Sequence, residues 1–131
     1  MKAAGITVVA SYVIWNHHEP KEGVFDWQGN RDLRRFIALC GKLGLKAVVR
    51  VGPWVHGEVR YGGIPDWVVD GMRTRGDDPQ YLRHVARFYR GIGAQLKGNL
   101  WKDGGPVIGL QLENEYNLNG PGEGAGHIAT L

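Results

Sequence analysis

Val107-Ile108-Gly109-Leu110-Gln111-Leu112-Glu113-Asn114-Glu115-Tyr116 is an apolar run that breaks into two carboxylates, an amide and an aromatic. Entered through the turn-forming Gly104-Gly105-Pro106, it reads as a buried strand, Val107 to Leu112, with polar residues at its C-terminal end. Two earlier segments share this construction. Ile6 to Tyr12 is apolar and β-branched and leads into Tyr12-Val13-Ile14-Trp15-Asn16-His17-His18-Glu19-Pro20. Lys46 to Val51 is valine-rich and leads into Gly52-Pro53-Trp54-Val55-His56-Gly57-Glu58. Three strands are therefore expected, each with its polar and aromatic residues at the C-terminal end.

Helical patterns separate them. Leu33, Phe36, Ile37, Cys40 and Leu43 recur at three and four residues, which predicts a helix from near Arg31 to Leu43. Asn30 is the expected cap at its start and Gly44 the expected stop. Asp78-Pro79 predicts the start of a second helix. Its inner stripe is Tyr81, Leu82, Val85, Phe88, Tyr89, Ile92 and Leu96, and Gly98 can end it. Glu22 to Trp27 reads as a turn with an aromatic anchor. Asn117 to Gly126 reads as a glycine-rich loop, and His127 to Leu131 as the start of another helix.

Strand, helix, strand, helix, strand implies right-handed βαβ units and a parallel sheet. An open nucleotide-binding sheet would carry a glycine-rich loop after its first strand, and Tyr12 to Pro20 contains no glycine. A (β/α)₈ barrel collects its chemistry at the C-terminal ends of several strands, as all three clusters do here. The expected fold is α/β: a partial (β/α)₈ TIM barrel, residues 1–131 forming one incomplete domain.

Composition is that of an ordinary globular chain: 131 residues, 43% hydrophobic and 22% charged. The net charge of +3 comes from scattered Lys and Arg, and Arg34-Arg35 sits in a helix pattern beside Asp32. This is a solvated helix face, not a nucleic-acid patch. The single Cys40 excludes an internal disulfide and a multi-cysteine zinc site, and its place on the apolar stripe makes it a buried filler. No apolar run is long enough for a transmembrane helix. Met1 to Ile6 lacks the apolar region of a signal peptide and reads as the tail of a helix ending at Gly5, so the N-terminus is expected to be a cut or miscalled one.

Glu115, at the mouth of a strand and beside Asn114, has the setting of a proton donor in glycosidic cleavage, which needs two carboxyl groups flanking the bond. Asn114 can both donate to and accept from a sugar hydroxyl. Glu113 shares a face with Glu115 if the chain stays extended. Its expected role is structural, in a pair with a basic residue such as Arg50. Glu58, near Trp54, can fix sugar hydroxyls while the ring stacks, or else pair with Arg60. Tyr12, Trp15 and Asn16 are either packing residues or sugar contacts. His17, His18 and His56 lack metal-ligand spacing and read as loop histidines that bond locally.

At these residues the chain resembles glycoside hydrolase family 35, the β-galactosidase family. The matching segments are Ser11 to Pro20, Val24-Phe25-Asp26-Trp27, Arg50 to Trp54, Gly57-Glu58, Gly62 to Trp67, and Gly105 to Ile108 with Gln111 to Tyr116. They follow family order and spacing across almost the whole chain. The resemblance implies a retaining exo-β-galactosidase acting on carbohydrates with a terminal β-galactoside, with no metal or organic cofactor. It implies that Glu115 is the acid/base and that Tyr12, Gly57, Glu58 and Asn114 bind the sugar. It also implies that the chain supplies strands two to four, that strand one is missing, and that the nucleophile, a Glu on strand seven, lies in a missing half of the barrel. Family members are often secreted or lysosomal. Ser11 and Gly57 stand where many members carry Thr and Ala, which leaves the sugar open. Other readings are a non-catalytic carbohydrate-binding fragment and a related β-glycosidase such as an exo-β-glucosaminidase. Neither a nucleic-acid nor a membrane partner is expected.

Overall fold

Three parallel strands, β1 (Val8–Tyr12), β2 (Lys46–Gly52) and β3 (Val107–Leu112), form one sheet in the order β1-β2-β3. The structure is a computed structural model and describes residues 1–116 and 124–131. The register pairs Tyr12 with Arg50 and Arg50 with Gln111. Because alternate side chains share a face, these three residues stand side by side at the C-terminal edge of one sheet surface. The opposite surface of β2 carries Ala47, Val49 and Val51, all buried.

Two helices cover that apolar surface. Helix α2 (Leu33–Lys42) contributes Leu33 and Ile37 to the core, and α4 (Pro79–Leu96) contributes Tyr81, Val85, Phe88, Ile92 and Leu96. Burying each such aliphatic or aromatic side chain stabilises the fold by roughly 1.5–3 kcal/mol. Helix α4 begins as its sequence predicts: the Asp78 carboxylate accepts from the Gln80 and Tyr81 backbone N–H groups, with Pro79 at the first position. Helix α2 begins later than expected. Asn30 lies in a 3₁₀ turn (Gly29–Arg31), and Asp32 is the cap, accepting from Arg35 N–H. At its end Gly44 takes φ +66°, the left-handed conformation that lets the chain leave the helix. Cys40 is buried on the inner stripe as expected. Gly5, with φ +82°, closes a 3₁₀ turn over Lys2–Ala4.

Two short helices were not foreseen. Trp15–His18 (α1) was expected to be loop. One helical turn brings Trp15 and Glu19 four residues apart onto one face, and the indole N–H donates to the Glu19 carboxylate at 2.7 Å. Trp15 is fully buried, stacked on Phe88 at 5.0 Å and edge-on to Trp67 at 6.1 Å. Asp66–Val69 (α3) forms a second turn within the long loop after β2. The aromatic anchor of the first loop is present: Phe25 and Trp27 stack on each other, and both reach Gly91 of α4.

The expected loop over 117–126 falls largely on residues outside those described. The expected last helix is α5 (Ala125–Thr130), tied to the segment before α4 by His127 and Asp77 at 2.6 Å. On the outer side of β3, Leu110 and Leu112 remain exposed and form an apolar groove of about 610 Å³ with Ile92, Leu96, Leu100 and Leu131. None of its lining residues belongs to the three clusters at the strand ends. No helix among the described residues is long and apolar enough to cross a membrane.

Candidate active site

The C-terminal ends of the three strands converge on a cavity of about 790 Å³. Tyr12 enters from β1 and Arg50 from β2. Trp54, His56, Gly57, Glu58 and Tyr61 enter from the loop after β2, and Asn114 and Glu115 from the end of β3. The strand register explains the first contacts. Arg50 donates to the Tyr12 hydroxyl at 2.5 Å, its guanidinium lies 4.2 Å over the Tyr12 ring, and its other arm donates to Asn114 Oδ1. One cation thus joins all three strand ends.

The wall of the cavity is set by close packing. Gly62, with φ +58°, lies flat against the Trp54 ring, where a Cβ would come within 2.3 Å of ring atoms. No other residue fits there. Trp54 in turn meets His56 edge-on at 5.3 Å. Beneath the ring, Arg75 sits 4.7 Å from Trp54 and 5.5 Å from Tyr116. It donates two hydrogen bonds to Glu113 Oε2, at 2.8 and 3.1 Å, and one to the Asn114 carbonyl at 2.9 Å. Both charged side chains of this pair are buried. Breaking such a pair by removing one partner leaves a buried charge uncompensated, so the pair fixes the chain on either side of Asn114.

Glu113 and Glu115 do not share a face. The strand stops at Leu112, and both glutamates adopt left-handed backbone conformations, φ +52° and +49°. Extended alternation therefore ends before them. Glu113 turns inward to Arg75, not to Arg50, which corrects the expected partner. Glu115 turns outward, its side chain 59% exposed, with His56 Nδ1 3.8 Å from its carboxylate. Among the described residues, six non-glycine residues have positive φ: His56, Glu58, Tyr61, Arg75, Glu113 and Glu115. Four line the cavity and the other two support it. Each costs roughly 1 kcal/mol or more, and such residues concentrate at functional sites.

Residues 1–125 match the sequence profile of Glycosyl hydrolases family 35. The chain belongs to that family. Beta-galactosidase of Mus musculus is 39% identical over 118 residues, covering 88% of this chain and 18% of that protein. Beta-galactosidase-1-like protein 2 of Homo sapiens is 37% identical over 118 residues, covering 88% of this chain and 19% of that protein. Among solved structures, exo-beta-1,4-mannosidase Op5Man5 from Opitutaceae bacterium strain TAV5 superposes with a TM-score of 0.72 at 26% identity. That match covers 91% of this chain and 20% of the mannosidase. The chain thus spans about a fifth of the length of these relatives. Its βα units are part of a (β/α)₈ barrel, as the sequence pattern and the superposition agree.

The five residues expected at the sugar site of a family 35 glycoside hydrolase, Tyr12, Gly57, Glu58, Asn114 and Glu115, all line the one cavity. Glu58 does not pair with Arg60, which is engaged by Asp66 at 3.0 Å, and it makes no ion pair among the described residues. Trp15 is removed from consideration as a sugar platform by its burial. Asn16 donates to the Arg60 carbonyl at 3.5 Å and links two loops. His17 and His18 part ways on their helical turn: His17 is exposed, while His18 stacks on Trp27 at 4.3 Å. Burial lowers the His18 pKa below its usual value, with its bond to the Asp26 carbonyl working the other way. Tyr89 donates to the Gly52 carbonyl at 2.6 Å, and burial drives its pKa, like that of Tyr81, far above the tyrosine range. Both phenols lie outside the lining of the cavity.

Sequence reading missed two residues. Arg75 lies in a polar loop with no periodicity to mark it, although a glutamate following a buried strand demands a cation somewhere. His56 was read as a local loop histidine. It bonds Asn114, 58 residues away.

Proposed function

We propose that this chain supplies the acid/base portion of a retaining, exo-acting β-galactosidase, as strands two to four of its barrel. The observation that carries the proposal is the fixed setting of buried Glu113 and half-buried Asn114 beside an exposed Glu115 at the rim of a polar and aromatic cavity. The β-galactosidases that match the chain support galactose as the sugar.

In this reading Glu115 donates its proton to the glycosidic oxygen as the bond to the sugar breaks. A second carboxylate, from outside this chain and about 5–5.5 Å across the bond, attacks the anomeric carbon. Glu115 then takes a proton from the water that releases the sugar, so configuration is retained. Asn114, Glu58 and the Tyr12 hydroxyl bind sugar hydroxyls, and the backbone at Gly57 lines the pocket. Arg50, bound to Tyr12 and Asn114 at once, fixes the spacing between two of these contacts.

Three measurements test this. The isolated chain should show no hydrolysis of an aryl β-galactoside. Turnover abolished by Glu115→Gln would sink the claim that the nucleophile lies elsewhere. In a polypeptide that contains both carboxylates, Glu115→Gln should lower kcat about 10²–10⁴-fold. Calorimetry with methyl β-galactoside, methyl β-mannoside and methyl β-glucosaminide gives the sugar. Tighter binding of either of the latter two would overturn the galactoside assignment.

A further inference from the structure

Asn114 is held from three sides, and its neighbours leave it one orientation. Arg50 has only N–H groups to offer, and one of them meets Oδ1. Gln111 Nε2 donates to the Glu113 carbonyl at 2.9 Å, which fixes that amide, and also to Asn114 Oδ1 at 3.1 Å. The Asn114 nitrogen is therefore the group that lies 2.6 Å from His56 Nδ1. An amide NH₂ donates and does not accept, so Nδ1 is the bare ring nitrogen and the proton of the neutral imidazole sits on Nε2. The same Nδ1 is 3.8 Å from Glu115 Oε2. One nitrogen faces an amide donor and a carboxylate acceptor, and a single protonation state cannot serve both.

We propose that His56 is a positioning residue with two states. Neutral, it accepts from the Asn114 amide and holds it against the wall. Protonated at Nδ1 by solvent, it releases that amide and pairs with Glu115. The sugar-facing donor of Asn114 is thereby coupled to the charge beside the acid/base. By linkage the coupling is reciprocal: a charged Glu115 favours the state in which Asn114 is free. The meaning for catalysis rests on the glycosidase reading above, whereas the coupling itself does not.

The groups around the ring make the coupling specific. On its own loop His56 has Trp54, edge-on, and Glu58 two residues ahead. From β2 comes Arg50, whose charge opposes an imidazolium; from β1 comes Tyr12, which shares the cavity. Arg75, matched by Glu113, lies against Trp54, and Tyr61 also lines the cavity. Among the described residues, Glu115 is the carboxylate in ion-pair reach. The His56 side chain is 39% exposed, so solvent reaches the ring.

The test is ¹⁵N spectroscopy of ring-labelled histidine against pH. Spectra are taken on the full chain. The His56 signals are those lost in His56→Gln. At high pH they should report a proton on Nε2. Glu115→Gln should move the titration midpoint to lower pH, because the stabilising anion is gone. Asn114→Ala should move it to higher pH, because the bond to the neutral ring is gone. Asn114→Leu keeps the volume if the alanine variant loosens the loop. Midpoint shifts of opposite sign support the proposal. A proton on Nδ1, shifts of the same sign or no shift would overturn it. Neither readout needs sugar, so failure to bind methyl β-galactoside would defeat the functional reading alone.

Discussion

At the end of β1, Glu19 is fully buried and accepts hydrogen bonds from Trp15, the Gly23 backbone and Arg87. At the end of β3, Glu115 is mostly exposed, and its ion-pair partner among the described residues is a histidine at 3.8 Å. Both glutamates follow a strand and lie near aromatic rings and an arginine. The difference is how much of each carboxylate's acceptor capacity is spent. Glu19 has given both oxygens to three separate parts of the chain and acts as a fastening. Among the described residues Glu115 has given almost none, which is what the proposed acid/base role requires. Glu113 belongs with Glu19, although it is two residues from Glu115.

Removal of the fastenings should have the largest effects. Glu19→Ala leaves three donors without an acceptor and should cost at least about 3 kcal/mol, read as a lowered urea midpoint. An unchanged midpoint would break the comparison. Glu113→Gln keeps an acceptor for Arg75 but loses the charge. It should cost about 2 kcal/mol and weaken methyl β-galactoside binding with it, since Asn114 hangs from the same arginine.

A smaller effect comes from pH. His18 has a depressed pKa in the fold, so the unfolded chain binds its proton first. Stability should be full above about pH 6.5 and fall as pH drops from there towards the folded pKa. His18→Gln should flatten that slope, and a slope unaltered by the substitution would remove His18 as its origin. Glu115→Gln should have the smallest effect on stability, within about 0.5 kcal/mol, while removing acid catalysis. A large stability loss there would place Glu115 with Glu19 and erase the contrast.

The strands, both long helices and the Asp78-Pro79 start were legible because each rests on periodicity or on a cap within a few residues. The convergence of Tyr12, Gly57, Glu58, Asn114 and Glu115 on one cavity was legible because the barrel rule places strand ends together, whereas their roles came from the family resemblance alone. What sequence did not show was partnership at long range. Glu113 could be judged structural, but its partner lies 38 residues away in an unpatterned loop. Trp15 could be either platform or core. Only packing against Phe88, across an α4 face whose position depends on the whole sheet, decides for core. The turn of backbone at Glu113 was hidden as well, because no glycine announces it.

That last point has a practical reach. In a library of single substitutions scored for folding, glycine is ordinarily among the most damaging replacements. At His56, Glu58, Tyr61 and Glu115 it relieves a backbone that already bends the left-handed way, so it should be tolerated there as well as alanine or better. A map of where glycine does no harm would outline the rim of the cavity without any sugar, assay or partner domain being present.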